Sequence, residues 1–341
     1  MEAQSVSPQR VASDPLHVQE RVLVTGAFGN VGRHAVRELC AAGHRVRALR
    51  HRAGSSAAER AMAHAFGSQV EVIWGDVRDR AAMDAAVRDV SAVVHLAYLI
   101  PPPALERPAE AQSINVEGTR TLLAAASAAA PPPRFLFTST LDVYGLTQHL
   151  PPPRKVGDPL QVTDVYSGHK IACERLVEAS GLRFTILRLA DVPPIAVRAP
   201  HPMMFRVPLE TRIEMIHPED AGLAVARALG CPEVWGRTLN VGGGPRCQLV
   251  YREYLGAFLD AMGVGRLPDE AFSTEPYCTD WLDTEESQRL LGYQRRSFAD
   301  VVDATAALLG WRRPLARLLR PAVRAWMLRL SPSWRARGNG R

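Results

Sequence analysis

The chain has 341 residues, 47% hydrophobic and 22% charged, enough for one large domain or about two and balanced as in a soluble, well-packed protein. A collagen-like repeat and a largely disordered chain are excluded. So is an integral membrane protein, because no stretch approaches the roughly 20 apolar residues that a bilayer span needs. The net charge of +6 belongs to one end: nine arginines and no acidic residue follow Asp303, and subtracting the nine leaves a net −3 for everything before them. Basicity alone therefore argues for no nucleic-acid partner.

Residues 1–19 lack an apolar core, which predicts a disordered lead-in and no signal peptide. Between 20 and 190, short apolar runs alternate with longer alanine-rich helical stretches. The runs are Val22–Val24, Val46–Leu49, Val70–Ile73, Ala92–Val94, Phe135–Phe137 and Phe184–Leu187. This rhythm predicts βαβ units, hence an α/β doubly wound parallel sheet with helices on both faces. Three proline clusters, at 101–103, 131–133 and 151–153, are expected in connections outside the sheet, because proline fixes φ and removes a donor. From Asp191 the alternation weakens into short helices around 218–229 and 250–262. A smaller substrate-binding lobe is expected over 191–310, with parts of 217–245 returning to the sheet domain. The five cysteines (Cys40, Cys173, Cys231, Cys247, Cys278) are scattered without a CxxC. No disulfide framework or metal site is expected, and a reducing cytoplasm fits.

Directly after the first run stands Thr25-Gly26-Ala27-Phe28-Gly29-Asn30-Val31-Gly32, followed by the amphipathic 33–39. Glycines at this spacing permit a tight turn, close backbone approach to a pyrophosphate and close helix–strand packing. The helix N-terminus that follows offers free N–H groups and a positive dipole end. Dinucleotide binding is the reading. At the end of the second run, an acid would hold a ribose 2′-hydroxyl, whereas arginine accommodates a 2′-phosphate. The chain has Arg50-His51-Arg52 there, which favours NADP(H) over NAD(H); Arg33 could add a further positive group.

Tyr166 and Lys170 are four apart, one turn on one helix face. A phenol near pKa 10 is a poor base at neutral pH. A neighbouring ammonium and an oxidised nicotinamide both favour the phenolate, so the pair could act as an acid/base. Thr138-Ser139-Thr140 closes the fifth run at the sheet edge where such folds bind ligands.

In order, the chain also carries Gly75-Asp76-Val77, His95-Leu96-Ala97 with Tyr98 after it, Asn115-Val116-Glu117-Gly118-Thr119, Val143-Tyr144-Gly145, His217-Pro218-Glu219-Asp220 and Asn240-Val241-Gly242. With the glycine turn and Tyr166–Lys170, these resemble the extended short-chain dehydrogenase/reductase family, also called the NAD-dependent epimerase/dehydratase family, over roughly 20–310. The resemblance implies a Rossmann-type fold with a small C-terminal lobe and NAD(P) as cofactor. It implies Thr140, Tyr166 and Lys170 as catalytic residues. It implies cofactor contacts from Gly26, Phe28, Gly29, Asn30, Val31, Gly32, Arg50, Arg52, Asp76, Val77, Leu96, Ala97, Asn115, Tyr166 and Lys170. Members of the family commonly form homodimers.

Two departures narrow the chemistry. The family's sugar-nucleotide 4,6-dehydratases resemble one another in a Thr-Asp-Glu, where this chain has Thr140-Leu141-Asp142. Leucine cannot protonate a leaving hydroxyl, and Asp142 is expected as a solvated or capping acid. Asp191 stands where nucleotide-sugar members place asparagine near the substrate's phosphates, and an aspartate there repels an anion. The expectation is a net oxidoreductase acting on a carbonyl or secondary alcohol, with a smaller, apolar or terpenoid- or sterol-like substrate competitive. The alternatives are a redox-neutral nucleotide-sugar epimerase and a nonenzymatic dinucleotide-binding sensor or assembly protein. His95 and His217 are expected to be structural.

The last stretch, 311–341, reads as an arginine-rich amphipathic tail divided by Pro321. Peripheral membrane contact through 313–330 is one expectation for it, beside packing on the core.

Overall fold

A computed structural model describes residues 19–51, 64–197 and 199–338. Arg52 and nearly all of the expected 1–19 lead-in lie outside the described residues. Six strands, β1 (Arg21–Thr25), β2 (Arg45–Arg50), β3 (Val70–Trp74), β4 (Ala92–His95), β5 (Arg134–Thr140) and β6 (Phe184–Leu189), join β8 (Arg237–Val241) in one sheet. Its order is β3-β2-β1-β4-β5-β6-β8 and every pairing is parallel. The chain turns back between β1 and β4, which opens a crevice at the carboxyl ends of those strands.

Side chains alternate across each strand, so the sheet feeds two cores. Val22 and Val24 of β1, with Leu136 of β5 and Leu187 of β6, pack under α1 (Gly32–Ala41) and α5 (Pro218–Gly230). Leu23, Phe135, Phe137 and Ile186 point the other way, against α2 (Arg80–Ala86), α3 (Gly118–Ala128) and α4 (Val165–Glu178). Helices α1 and α5 approach so closely that a Cβ on Gly222 would sit 2.5 Å from the Cβ of His34 and 2.6 Å from its carbonyl carbon. His217 caps α5, its Nδ1 accepting from the Glu219 N–H at 3.1 Å.

The lobe has its own core. Strands β7 (Arg212–Glu214) and β9 (Gln248–Val250) pair antiparallel, and α6 (Tyr251–Ala261) follows. Phe205, Leu259 and Phe272 are buried there together with Met327, which comes from the tail. After α7 (Phe298–Leu309), the tail forms α8 (Arg312–Leu318) and α9 (Arg320–Leu328), with Pro321 in the first turn of the second. Val323, Met327 and Leu330 face the lobe, and Arg324 donates to the carbonyls of Val264 and Arg266. The membrane expectation for 313–330 is thus redrawn: part of its apolar stripe seals the lobe, and Leu318, Leu319 and Trp326 remain exposed. Among the described residues no helix is long and apolar enough to cross a membrane.

A buried polar network ties β6 and β8 to α4 and to the turn after β5. Arg188 of β6 makes a bidentate pair with Glu174 of α4 (3.1 and 2.7 Å) and donates to the Tyr144 hydroxyl at 3.0 Å. Tyr144 donates to Asn240 of β8 at 2.7 Å, and the Asn240 amide donates to the Arg154 carbonyl at 3.0 Å. Arg188 and Glu174 are 5% and 2% exposed, so each ion depends on its partner. Removing one partner of such a pair strands the other charge. Glu174→Ala is therefore expected to cost about 3–5 kcal/mol in chemical denaturation, whereas an exposed pair such as Arg80–Asp84 should change stability by less than about 1 kcal/mol when cut. Equal losses at the two sites would contradict this account.

Candidate active site

Helix α4 is started by a reciprocal cap. The Asp164 carboxylate accepts from the Ser167 N–H at 2.7 Å, and the Ser167 hydroxyl accepts from the Asp164 N–H at 3.0 Å. This fixes the first turn, places Tyr166 at its start and sets Lys170 one turn further on. Strand β5 ends at Thr140, whose hydroxyl accepts from the Asp142 N–H at 3.3 Å and opens a tight turn over Leu141–Tyr144. Thr140, Tyr166 and Lys170 line one cleft of about 610 Å³ at the carboxyl edge of the sheet, and the glycine turn lines its other end.

The Lys170 ammonium is buried. It donates to the Thr138 carbonyl at 2.7 Å and lies 3.6 Å from the centre of the Tyr98 ring. Tyr98 in turn meets Tyr166 edge-on at 5.9 Å. Burial pulls Lys170 down to about 8, against the nearby Cys173, Glu174 and Asp142. Burial, then the Asp142 carboxylate, push the Tyr166 phenol well above its ordinary value, while a hydrogen bond with the Thr140 side chain pulls the other way.

Asp142 corrects an expectation. It makes no side-chain cap: it is half-buried and lines the same cleft as Tyr166. Burial raises it to about 7, Asp164 adds to the rise, and the hydrogen bond from Thr140 opposes it. A carboxyl that gains or loses its charge near neutrality thus lines the same cleft as the phenol.

At the other end, Gly26, Gly29, Asn30, Val31 and Gly32 line the cleft, with Leu96. A Cβ on Gly32 would collide with the Gly26 carbonyl oxygen, so no larger residue leaves the turn intact. The Thr25 hydroxyl holds the turn to β4, accepting from the N–H groups of Leu96 and Ala97, both at 3.1 Å. His95 hydrogen-bonds Thr25 at 2.7 Å and Thr119 at 2.9 Å, and burial lowers it to about 3, so it is neutral and structural. Asn30 donates to the Val192 carbonyl at 2.8 Å and ties the turn to the segment after β6.

Several residues expected at the cofactor do not line the cleft. Asn115 spends its side-chain amide on Leu99, accepting from the N–H at 2.7 Å and donating to the carbonyl at 2.9 Å. Val77 is buried in the core. Phe28 and Trp74 flank the Arg50 guanidinium, with ring centres 5.4 and 5.3 Å away. Asp76 is held by Arg78 and by His51 (3.2 Å), and the hydrogen bonds from Arg78 bring it down to about 2. The sequence reading had not singled out Tyr98 as a site residue, although its signal was visible as a tyrosine after His95-Leu96-Ala97. It had also missed Tyr251, Tyr254 and Tyr277, which reach the cleft from the lobe.

Residues 22–193 match the model of the NAD dependent epimerase/dehydratase family. A UDP-glucose 4-epimerase of Lactobacillus helveticus is 30% identical over 179 residues, 50% of this chain and 52% of that protein. A sterol demethylase protein B of Methylococcus capsulatus is 32% identical over 177 residues, 50% and 51% of the two chains. The chain thus spans about half the length of these curated relatives. Among solved structures, DesIV of Streptomyces venezuelae, a dTDP-glucose 4,6-dehydratase with NAD and TYD bound, superposes with a TM-score of 0.72 at 25% identity, covering 86% of this chain and 98% of that one. A UDP-glucose-4-epimerase of Stenotrophomonas maltophila with bound NAD gives 0.70 at 23% identity, covering 88% and 100%, which shows the fold alone. With the family model matched over half its length, the chain belongs to the NAD dependent epimerase/dehydratase family.

Proposed function

We propose that the protein is a nicotinamide-dinucleotide-dependent enzyme acting at a secondary alcohol or carbonyl carbon, with Tyr166 as its acid/base. The observation that carries this reading is that Thr140 and Tyr166 line one cleft with the glycine turn, with the buried Lys170 ammonium held on the Thr138 carbonyl beside them. The residues fit a dinucleotide. The glycine turn leaves no room for a Cβ, α1 begins at it, and the buried Ser139 hydroxyl on the cleft wall has no hydrogen-bond partner among the described residues. When bound, the nicotinamide supplies a hydride acceptor or donor and, oxidised, a positive charge that favours the phenolate.

The chain's own part is proton transfer and positioning. Thr140 and Tyr166 grip the reacting oxygen from two sides. Tyr166 takes its proton in oxidation and returns one in reduction. Lys170 holds a positive charge near the phenol and so favours its ionised form; Asp142, when ionised, opposes it.

The named relatives favour a redox-neutral epimerase over a net oxidoreductase. The same three residues serve both, and the difference is whether the substrate regains the hydride. As to the nucleotide, the solved relatives carry NAD, whereas in this chain β2 ends in Arg50, steadied between two rings. We assign it to a 2′-phosphate.

Three outcomes are expected. Tyr166→Phe should lose roughly 10²–10⁴-fold in turnover while still binding dinucleotide in a fluorescence titration; near-normal turnover would remove Tyr166 from the chemistry. In Asp142→Asn, the phenolate band seen by ultraviolet difference against Tyr166→Phe should emerge at lower pH than in the parent, because the opposing charge is gone. An unchanged or higher midpoint would contradict the coupling. NADPH should bind more tightly than NADH, and Arg50→Ala should erase about tenfold or more of that preference. Tight NAD binding indifferent to Arg50 would reject the assignment and strengthen the epimerase.

A further inference from the structure

A buried ammonium needs something to stand in for its water. Among the described residues, Lys170 makes one hydrogen bond, to the Thr138 carbonyl at 2.7 Å, and no ion pair. Glu174, one turn along the same helix, gives both carboxylate oxygens to Arg188. Three aromatic rings stand around the charge instead. The nitrogen lies 3.6 Å from the centre of Tyr98, 4.9 Å from that of Phe137 and 5.9 Å from that of Tyr166. Tyr98 is the nearest, and a ring face so close attracts a cation through its quadrupole, most strongly where water is displaced.

Tyr98 is itself held in place. Its ring meets Tyr166 edge-on at 5.9 Å and Phe137 at 6.4 Å, and its hydroxyl lies 3.6 Å from the Cys173 sulfur. It lines the cleft with Lys170 and Tyr166. The other groups that act on the ammonium supply little fixed negative charge. Cys173 is a thiol pushed up by burial, and Asp142, raised by burial to about 7, is only partly ionised near neutrality. His95, lowered to about 3 by burial and then by the ammonium, is neutral.

We infer that Tyr98 is a positioning residue of the site: its ring face keeps the Lys170 ammonium charged and in place, and through that charge it favours the ionised form of Tyr166. The second half rests on the reading of Tyr166 as the acid/base; the first does not. The sign follows from the geometry. Burial pulls Lys170 down to about 8, and a ring face that favours the charged form resists the fall. Without the ring the midpoint drops further, and the positive charge near the phenol is lost from the alkaline side toward neutrality.

The chain holds two lysines, Lys155 and Lys170, so isotope labelling of lysine gives a two-signal nuclear magnetic resonance titration of the full chain, with the exposed Lys155 as reference. Tyr98→Phe keeps the ring face, loses the hydroxyl and should titrate with the parent. Tyr98→Leu should bring the Lys170 midpoint down by about one pH unit. Pentafluorophenylalanine at position 98 keeps the ring's shape and reverses its quadrupole, so it should lower the midpoint without opening a cavity. A midpoint that stays or rises with the fluorinated ring overturns the inference, whatever Tyr98→Leu does. So does a fall in Tyr98→Phe as large as that in Tyr98→Leu, which would move the effect to the hydroxyl and Cys173. Turnover at neutral pH should drop in Tyr98→Leu and be restored in Tyr98→Phe. The two readings fail separately. A lowered midpoint with undiminished turnover upholds the hold of Tyr98 on Lys170 and counts against the acid/base reading, while lost turnover with an unshifted midpoint removes the role of Tyr98 and leaves that reading standing.

Discussion

The burial of one ammonium group organises the site. Lys170 is 4% exposed, and a charge so placed survives only where dipoles and ring faces replace its water. The Thr138 carbonyl and the Tyr98 face do so. Because that carbonyl belongs to β5 and the lysine to α4, the contact also sets the register of helix against strand. Tyr166 is thereby brought into the cleft that Thr140 and Asp142 also line. Loss of the Lys170 contact would disturb all three groups at once.

The two halves of the cleft are built on different physics. The half at the glycine turn is nearly all backbone: a turn too tight for side chains, a helix start, and a threonine hydroxyl that pins the turn to β4. The half at the lobe is nearly all side chain, and its aromatic members hold one another in place. Outside the cleft the buried Glu174–Arg188–Tyr144–Asn240 chain ties α4, β6, β8 and the turn after β5 into one unit.

Much of the sheet half was legible in the sequence because its signals are local. An apolar run of three or four residues followed by an amphipathic stretch can be read without knowing what it packs on, and so can a glycine turn or a Tyr–Lys pair one helical turn apart. Asp142 was misread because the phenol that faces it lies 24 positions on, beyond any local pattern. Tyr98 was visible as an odd residue in a recurring segment, but its meaning depends on Lys170 from another element. The lobe was hardest, since its wall gathers residues from 203–213, 251–254 and 277, with no period linking them. Likewise the tail's amphipathic character could be read from spacing, but the partner of its apolar face could not.

That partner has a consequence for how the protein is made. Val207, Ile213 and Tyr251 on the lobe's wall of the cleft share a core with Met327, and a ribosome delivers the chain from the N-terminus. The wall is therefore without one of its packing partners until the tail has emerged and docked. The glycine turn and the two cores that flank the sheet need nothing from that region. The nascent chain thus completes its glycine turn well before the lobe's wall of the cleft has all of its packing partners.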